Sequence, residues 1–286
     1  MENRPIVAAI TGASSGIGRA ISIELAHRGV HLILSCHRNL TGVSETIARI
    51  QSSARQKSLA YTDLFAIVSD IADPQSHRGL VEAAFLRHGY IDLWVHAAGA
   101  DVLTGNARKD SFSTKLSRLW EVDVHGTFLL SRRVASRMLE QSPYASRLPS
   151  MVHLGWDQAD AGMEGDSGQY FSAIKSAVAA FSKSLAKSLA PRVRVNCVAP
   201  GWIQTEWGEN APPEWQSRAI GESMLQRWGT PEDIARVIAA ISLGDGDFVN
   251  GQTIAVNGGW QASTSSIRSK SKLGASRSSV NETLSE

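Results

Sequence analysis

Short apolar runs alternate along this chain with longer stretches whose apolar residues return every three or four positions. The runs are Ile6–Ile10, His31–Cys36, Leu64–Val68, Leu93–Ala97, Met151–Leu154, Val193–Val198 and Thr253–Val256. Such runs predict strands buried on both faces. Amphipathic stretches lie between them, including Ile17–Arg28, Pro74–His88, Leu116–Leu139, Gln169–Leu189 and Pro231–Ile241. These predict helices. Alternating strand and helix predicts the α/β class, with one doubly wound parallel sheet covered on both faces. Ligands of such sheets settle beyond the strand C-termini, where the strand order reverses. No internal repeat or linker divides the chain before residue 260, so residues 1–260 are expected to form a single domain. Residues 261–286 turn to Ser, Lys and Arg with few apolar positions. A disordered tail is expected there.

Composition acts mainly by exclusion. With 286 residues and 43% hydrophobic content, the chain can bury a full core. A net charge of +2 gives no electrostatic reason to expect nucleic acid. No apolar run approaches membrane-spanning length, so no membrane partner is expected. No charged and apolar leader precedes the first strand, and a cytoplasmic protein is expected. Cys36 and Cys197 are far apart and have no metal-ligand spacing. No metal is expected, and both thiols read as buried strand residues.

Chemistry enters at Thr11–Gly18, Thr-Gly-Ala-Ser-Ser-Gly-Ile-Gly. An apolar strand leads in and an amphipathic helix leads out. Gly12 suits the tight reversal after the strand. Gly16 lets a pyrophosphate approach the backbone, and Gly18 lets the helix pack on the strand. The free N–H groups at the helix start, around Ser14, Ser15 and Ile17, then face an anion. This spacing resembles the short-chain dehydrogenase/reductase family, a Rossmann-type group, and the resemblance runs over roughly residues 5–260.

The end of the second strand reads Ser35-Cys36-His37-Arg38-Asn39, with no acid to meet a ribose 2′-hydroxyl. Arg38 offers a fork for a 2′-phosphate, so NADP(H) is expected, unless Arg38 is a solvated loop charge. His37-Arg38-Asn39 also resembles the His-Arg-Ser of pteridine reductases, an NADPH-using branch. By resemblance, Asp70 and Ile71 meet the adenine, and Asp73 reads better as a helix cap. His96-Ala97-Ala98-Gly99 aligns with the family's Asn-Asn-Ala-Gly. Ala98 and Gly99 leave room for the ribose, but both asparagines are missing. Pro200-Gly201-Trp202-Ile203-Gln204-Thr205 matches the family's Pro-Gly-x-x-x-Thr. The resemblance gives the Ile203 backbone to the nicotinamide amide and Thr205 to the cofactor near its phosphates.

The family's proton chemistry uses a tyrosine, a lysine four residues later, a serine and an asparagine. Lys175 matches the lysine, and four residues before it stands Phe171, which has no proton to give. Tyr170 is one residue earlier. In a regular helix i to i+5 is about 140° of rotation, so Tyr170 points away from Lys175 unless the helix start is bulged. Asp157 stands thirteen residues before Tyr170, the family's serine-to-tyrosine spacing, and pteridine reductases carry an aspartate there. The register of Asp157 with Tyr170 conflicts with that of Lys175 with Phe171. A loop cap or solvated acid is the alternative for Asp157. Asp123 takes the asparagine position, as an organiser of water near Lys175 or as a local helix bend.

Trp202, Trp207, Trp215 and Trp228 fall where the family carries its substrate lid, and Trp156 and Met163 are candidates for the opposite wall. They read as walls for a flat or apolar small-molecule substrate, or as anchors of the lid. Arg218 and Arg227 offer charge to an acidic substrate group, or lie on solvated faces. Ala173, Ala177, Ala180 and Ser184 allow close helix approach. The family builds its dimer on this helix, so a homodimer or homotetramer is implied. Two functions are open: an NADPH-dependent reductase of the 3-oxoacyl-carrier-protein type, acting on C=O or a pterin-like C=N, and a non-catalytic NADP(H)-binding or scaffold protein.

Overall fold

The computed structural model describes residues 4–142, 147–244 and 246–260. The tail expected from residue 261 lies outside the described residues. Strands β1 (Val7–Thr11), β2 (His31–Cys36), β3 (Leu64–Val68), β4 (Leu93–His96), β5 (Ser150–Leu154), β6 (Arg194–Pro200) and β7 (Thr253–Val256) form one sheet. Every pairing is parallel, in the order β3-β2-β1-β4-β5-β6-β7. The order reverses between β1 and β4, which places a crevice at their C-terminal ends. Val7–Thr11 is buried throughout, as a central strand covered on both faces must be.

Helices α1 (Gly16–His27), α2 (Leu40–Lys57) and α3 (Pro74–His88) link the first four strands. After β4 come α4 (Phe112–Leu119) and α5 (Thr127–Glu140), with α6 (Gly165–Leu189) between β5 and β6. Two short helices, α7 (Glu206–Glu209) and α8 (Pro213–Glu222), precede α9 (Pro231–Ser242). One core joins α1 and α9 to one face of the sheet through Ile21, Leu25, Ile234 and Ile238. The other joins α3, α5 and α6 to the opposite face through Leu80, Phe85, Leu130, Val134 and Leu185. Among the described residues no helix is long and apolar enough to cross a membrane.

Several expected boundaries agree with the structure within a residue or two. Asp73 caps α3, accepting from the Gln75 N–H at 2.9 Å. The single helix expected over Leu116–Leu139 is instead interrupted by a π-helical segment, Trp120–Gly126. A Cβ at Gly126 would overlap the Ile71 carbonyl oxygen, so the widened turn brings this backbone against the β3–α3 loop.

Candidate active site

The glycine turn is built as the residue types require. Gly12 has φ +70°, and a Cβ on it would sit 2.8 Å from the Ala97 carbonyl oxygen. A side chain there is excluded by both conformation and space. Ser15 is the N-cap of α1, yet its side chain caps nothing. The first N–H groups of α1 have no intrahelical partner and are open to an anion. A Cβ on Gly16 would lie 3.7 Å from the Thr205 methyl, so the loop after β6 faces the turn. These features fit a dinucleotide pyrophosphate.

Two residues that the sequence reading missed hold this turn. Thr11 Oγ1 accepts from the N–H groups of Ala97 and Ala98 at 3.2 and 3.1 Å. This ties β1 to β4 where the family asparagine is absent. Arg19 donates to the Ser14 and Gly42 carbonyls at 2.6 and 3.2 Å and to Thr46 Oγ1 at 3.1 Å. It locks the turn onto α2. A basic residue inside the first helical turn after the glycines was the only available signal.

His37, Arg38 and Asn39 lie exposed at the end of β2. Arg38 Nε approaches His37 Nε2 at 3.3 Å, and His37 lies 3.2 Å from Asp70 Oδ2. Asn39 Oδ1 accepts from the Gly42 N–H at 2.8 Å, so this side chain is spent on capping α2. Asp70 also accepts from the Ala72 N–H at 2.9 Å. Ile71 is buried in the core, and its carbonyl meets His77 Nε2 at 2.8 Å. Beyond β6, Ile203 bridges to Gly229 through the Trp202 carbonyl and the Gln204 N–H. That pairing leaves the Ile203 N–H aside, available to an amide oxygen.

Asp123 joins the two halves. It sits in the π-helical segment and is 3% exposed. Oδ1 accepts from Lys175 Nζ at 2.8 Å and Oδ2 from the Ala100 N–H at 2.8 Å. A Cβ on Gly99 would stand 3.1 Å from Oδ1, so only glycine fits easily over the carboxylate. Asp123 stands in a local helix distortion and, where a water organiser was one reading, its carboxylate pairs with Lys175 directly. Lys175 also donates to the Leu154 carbonyl at 3.3 Å. One of its three protons then remains for a ligand.

Tyr170 does not take the place of the missing tyrosine hydroxyl beside Lys175. Helix α6 runs unbroken from Gly165, without the bulge that would be needed. Tyr170 is 1% exposed, packed with Val102, Leu119 and Ile174, and its hydroxyl pairs with Ser167 Oγ at 3.0 Å. Lys175 stays in phase with Phe171, whose ring meets Trp156 at 6.2 Å. Asp157 and Tyr170, although matched in spacing, have separate partners. Asp157 Oδ2 accepts from Asn257 Nδ2 at 2.9 Å, while Oδ1 is sealed from solvent with no hydrogen bond. Burial pushes this carboxyl up to about 6, against the lowering effect of Asn257. Pro200 and Gly201 lie beside it: the Asp157 N–H donates to the Pro200 carbonyl at 3.1 Å, and a Cβ on Gly201 would be 3.2 Å from Oδ2.

Gln158, next in the chain, was also missed. It is 1% exposed and neither amide atom has a hydrogen-bond partner. Behind Lys175, His96 and His153 stack at 4.7 Å, joined through Ser131 Oγ. His153 Nδ1 also meets Ser182 Oγ at 2.6 Å. Burial holds His153 down at about 3 and His96 well below its ordinary value, so both rings are neutral near pH 7.

The four lid tryptophans pack on one another, with ring centroids 5.6–6.2 Å apart. Trp202 Nε1 donates to the buried Glu222 at 2.8 Å. Arg218 pairs with Glu222 and Glu164, and Arg227 with Asp233. Glu222 ties the lid to itself, while Glu164 at the start of α6 and Asp233 in α9 fasten it to the body of the domain.

Residues 12–261 match the family model described as enoyl-(acyl carrier protein) reductase. An uncharacterized oxidoreductase of Methylorubrum extorquens is 32% identical over 88% of this chain and 96% of its own. A 3-oxoacyl-[acyl-carrier-protein] reductase of Staphylococcus aureus is 28% identical over 88% and 96%. Among solved structures, a short-chain dehydrogenase/reductase of Brucella melitensis superimposes with a TM-score of 0.74. It is 28% identical, and the match covers 90% of this chain and 97% of that one.

Proposed function

The chain belongs to the short-chain dehydrogenase/reductase family and is an oxidoreductase of that type, and on that premise we propose that it is an NADPH-dependent reductase of a carbonyl such as a 3-oxoacyl thioester, or of a pterin-like C=N. The arrangement that carries the reading is the Asp157 carboxyl held by Asn257 beside Gly201, where burial raises its pKa to about 6.

The turn over Gly12, Ser14, Ser15, Gly16, Ile17 and Gly18 holds the pyrophosphate, with Thr205 facing it. Arg38 and His37 take the 2′-phosphate, and Asp70 borders the adenine. Ala98 and Gly99 border the ribose, and the Ile203 N–H meets the carboxamide. Bound there, NADPH supplies the hydride. With the hydride supplied by the bound cofactor, Asp157 in its acid form would hold the proton for the substrate oxygen or nitrogen. The products are an alcohol or amine and NADP⁺. Lys175, steadied by Asp123, spends its remaining proton on the ribose or the substrate. Tyr170 is a packing residue of α6. The substrate lies between the lid and Trp156, and the protein works as a homodimer or homotetramer through α6.

NADPH oxidation against acetoacetyl thioesters, quinones and dihydropterins tests this. Turnover is expected with at least one class, and its loss in Asp157→Asn. A second reading, a non-catalytic NADP(H)-binding protein, is favoured by Phe171 where the tyrosine belongs. Tight NADPH binding without turnover of any class would decide for it.

A further inference from the structure

At the other end of the sheet, three side chains from three elements converge. His31 opens β2, Asp63 immediately precedes β3 and His88 closes α3. Among the described residues, their ligand atoms form a His/Cys/Asp/Glu group lying mutually within 4.8 Å. His88 Nε2 is 3.2 Å from Asp63 Oδ2, and the two imidazole rings meet at 5.4 Å. His31 Nδ1 and His88 Nε2 are both sealed from solvent, and neither makes a directed hydrogen bond. Two ring nitrogens sealed from solvent around one carboxylate, with no well-aligned hydrogen bond between them, are costly as a polar cluster. They are economical as ligands.

We propose that His31, Asp63 and His88 bind a divalent transition metal of the zinc class. Two imidazoles and a carboxylate are a borderline donor set that suits zinc, with a fourth position for water. Tetrahedral bonds of about 2.0–2.1 Å put ligand atoms about 3.4 Å apart, so the set closes by rotation of the His31 and His88 side chains. Arg87 forks both oxygens of Asp63 at 2.8 Å. It orients the carboxylate from behind, while its charge limits affinity. Tyr61 packs edge-on to His31 at 6.4 Å and is itself exposed, so the cluster lies close beneath the surface. The site is remote from the glycine turn, and a metal here clamps the start of β2 to α3 and β3.

The test is zinc titration of the untagged full-length protein by calorimetry, with His31→Asn and His88→Gln beside it. One zinc per chain is expected, with affinity falling at least tenfold in each variant and Arg87→Gln binding more tightly. The wild-type protein alone supplies a second readout: cobalt(II) is expected to give the intense visible bands of a tetrahedral N/O site. Failure of the wild type to bind zinc, undiminished binding in both histidine variants, or only the weak bands of octahedral cobalt would overturn the proposal.

Discussion

Two halves of the crevice meet at Asp123. On the glycine-turn side, the proposed dinucleotide recognition rests on backbone: Gly12 in its left-handed conformation, the open amides of α1, and the N–H of Ile203. On the β5–α6 side, proton chemistry rests on individual side chains, and Phe171, Asp157 and Asp123 differ from what the family resemblance implies. The contrast is physical: a cradle made of backbone N–H groups depends on side chains only where glycine is required. An acid–base group is lost with one hydroxyl and must be supplied from another element.

The sharpest break is Gly12→Val. A branched side chain at φ +70°, within 2.8 Å of the Ala97 oxygen, closes the turn. A loss of about 100-fold or more in NADPH affinity, read by fluorescence titration, is the expected outcome. Asp157→Asn leaves that affinity unchanged within a few-fold but lowers turnover by about 100-fold, the usual worth of a general acid. In wild type the reductive rate falls as pH rises through about 6, because the acid form is the donor. The variant's profile is flat there, and a persistent inflection in Asp157→Asn would reassign the donor.

Phe171→Tyr places a hydroxyl one helical turn before Lys175. It is expected to raise carbonyl reduction by about 10-fold, less than the roughly 100-fold or more of a sole general acid, because Asp157 already serves as donor. No gain would show that Trp156 or the Lys175–Asp123 pair blocks that position.

Acid stability separates the buried groups. His153, held down at about 3, favours the folded state above its unfolded value of 6.5, and that contribution is lost as pH falls toward 3. Asp157, raised to about 6, has the opposite sign: its contribution is present below 3.8 and is lost as pH rises through about 6. Melting temperature is therefore expected to fall more steeply on acidification in Asp157→Asn than in wild type. The smallest effect is that of Tyr170→Phe. It removes one hydrogen bond to Ser167, costs about 1 kcal/mol and leaves turnover within two-fold. A large activity loss would return Tyr170 to the chemistry.

Hydrophobic periodicity located the seven strands and the ends of α1, α3 and α9, because the central strands are continuously apolar; the edge strands β3 and β7 keep the apolar run but are partly exposed rather than buried on both faces. It missed the π-helical segment, since Trp120–Gly126 keeps apolar positions compatible with an ordinary helix while Gly126 must approach Ile71. The thirteen-residue spacing of Asp157 to Tyr170 misled for a different reason. It crosses a loop, and separation along a loop carries no direction. The phase of Tyr170 against Lys175 was readable, because both lie on one helix.

The sequence by itself determined the alternating sheet, the glycine turn, the vacancy of the tyrosine position and the survival of Lys175, all of which follow from local pattern or fixed helical phase. Only the tertiary structure decided that Asp123 grips Lys175, that Asp157 turns to Asn257, that two histidines stack behind the site, and that His31, Asp63 and His88 meet. Each of those joins residues on different strands or helices. Their separation is set by how the sheet and its helices pack, and burial and charge at such meetings have no signature along the chain.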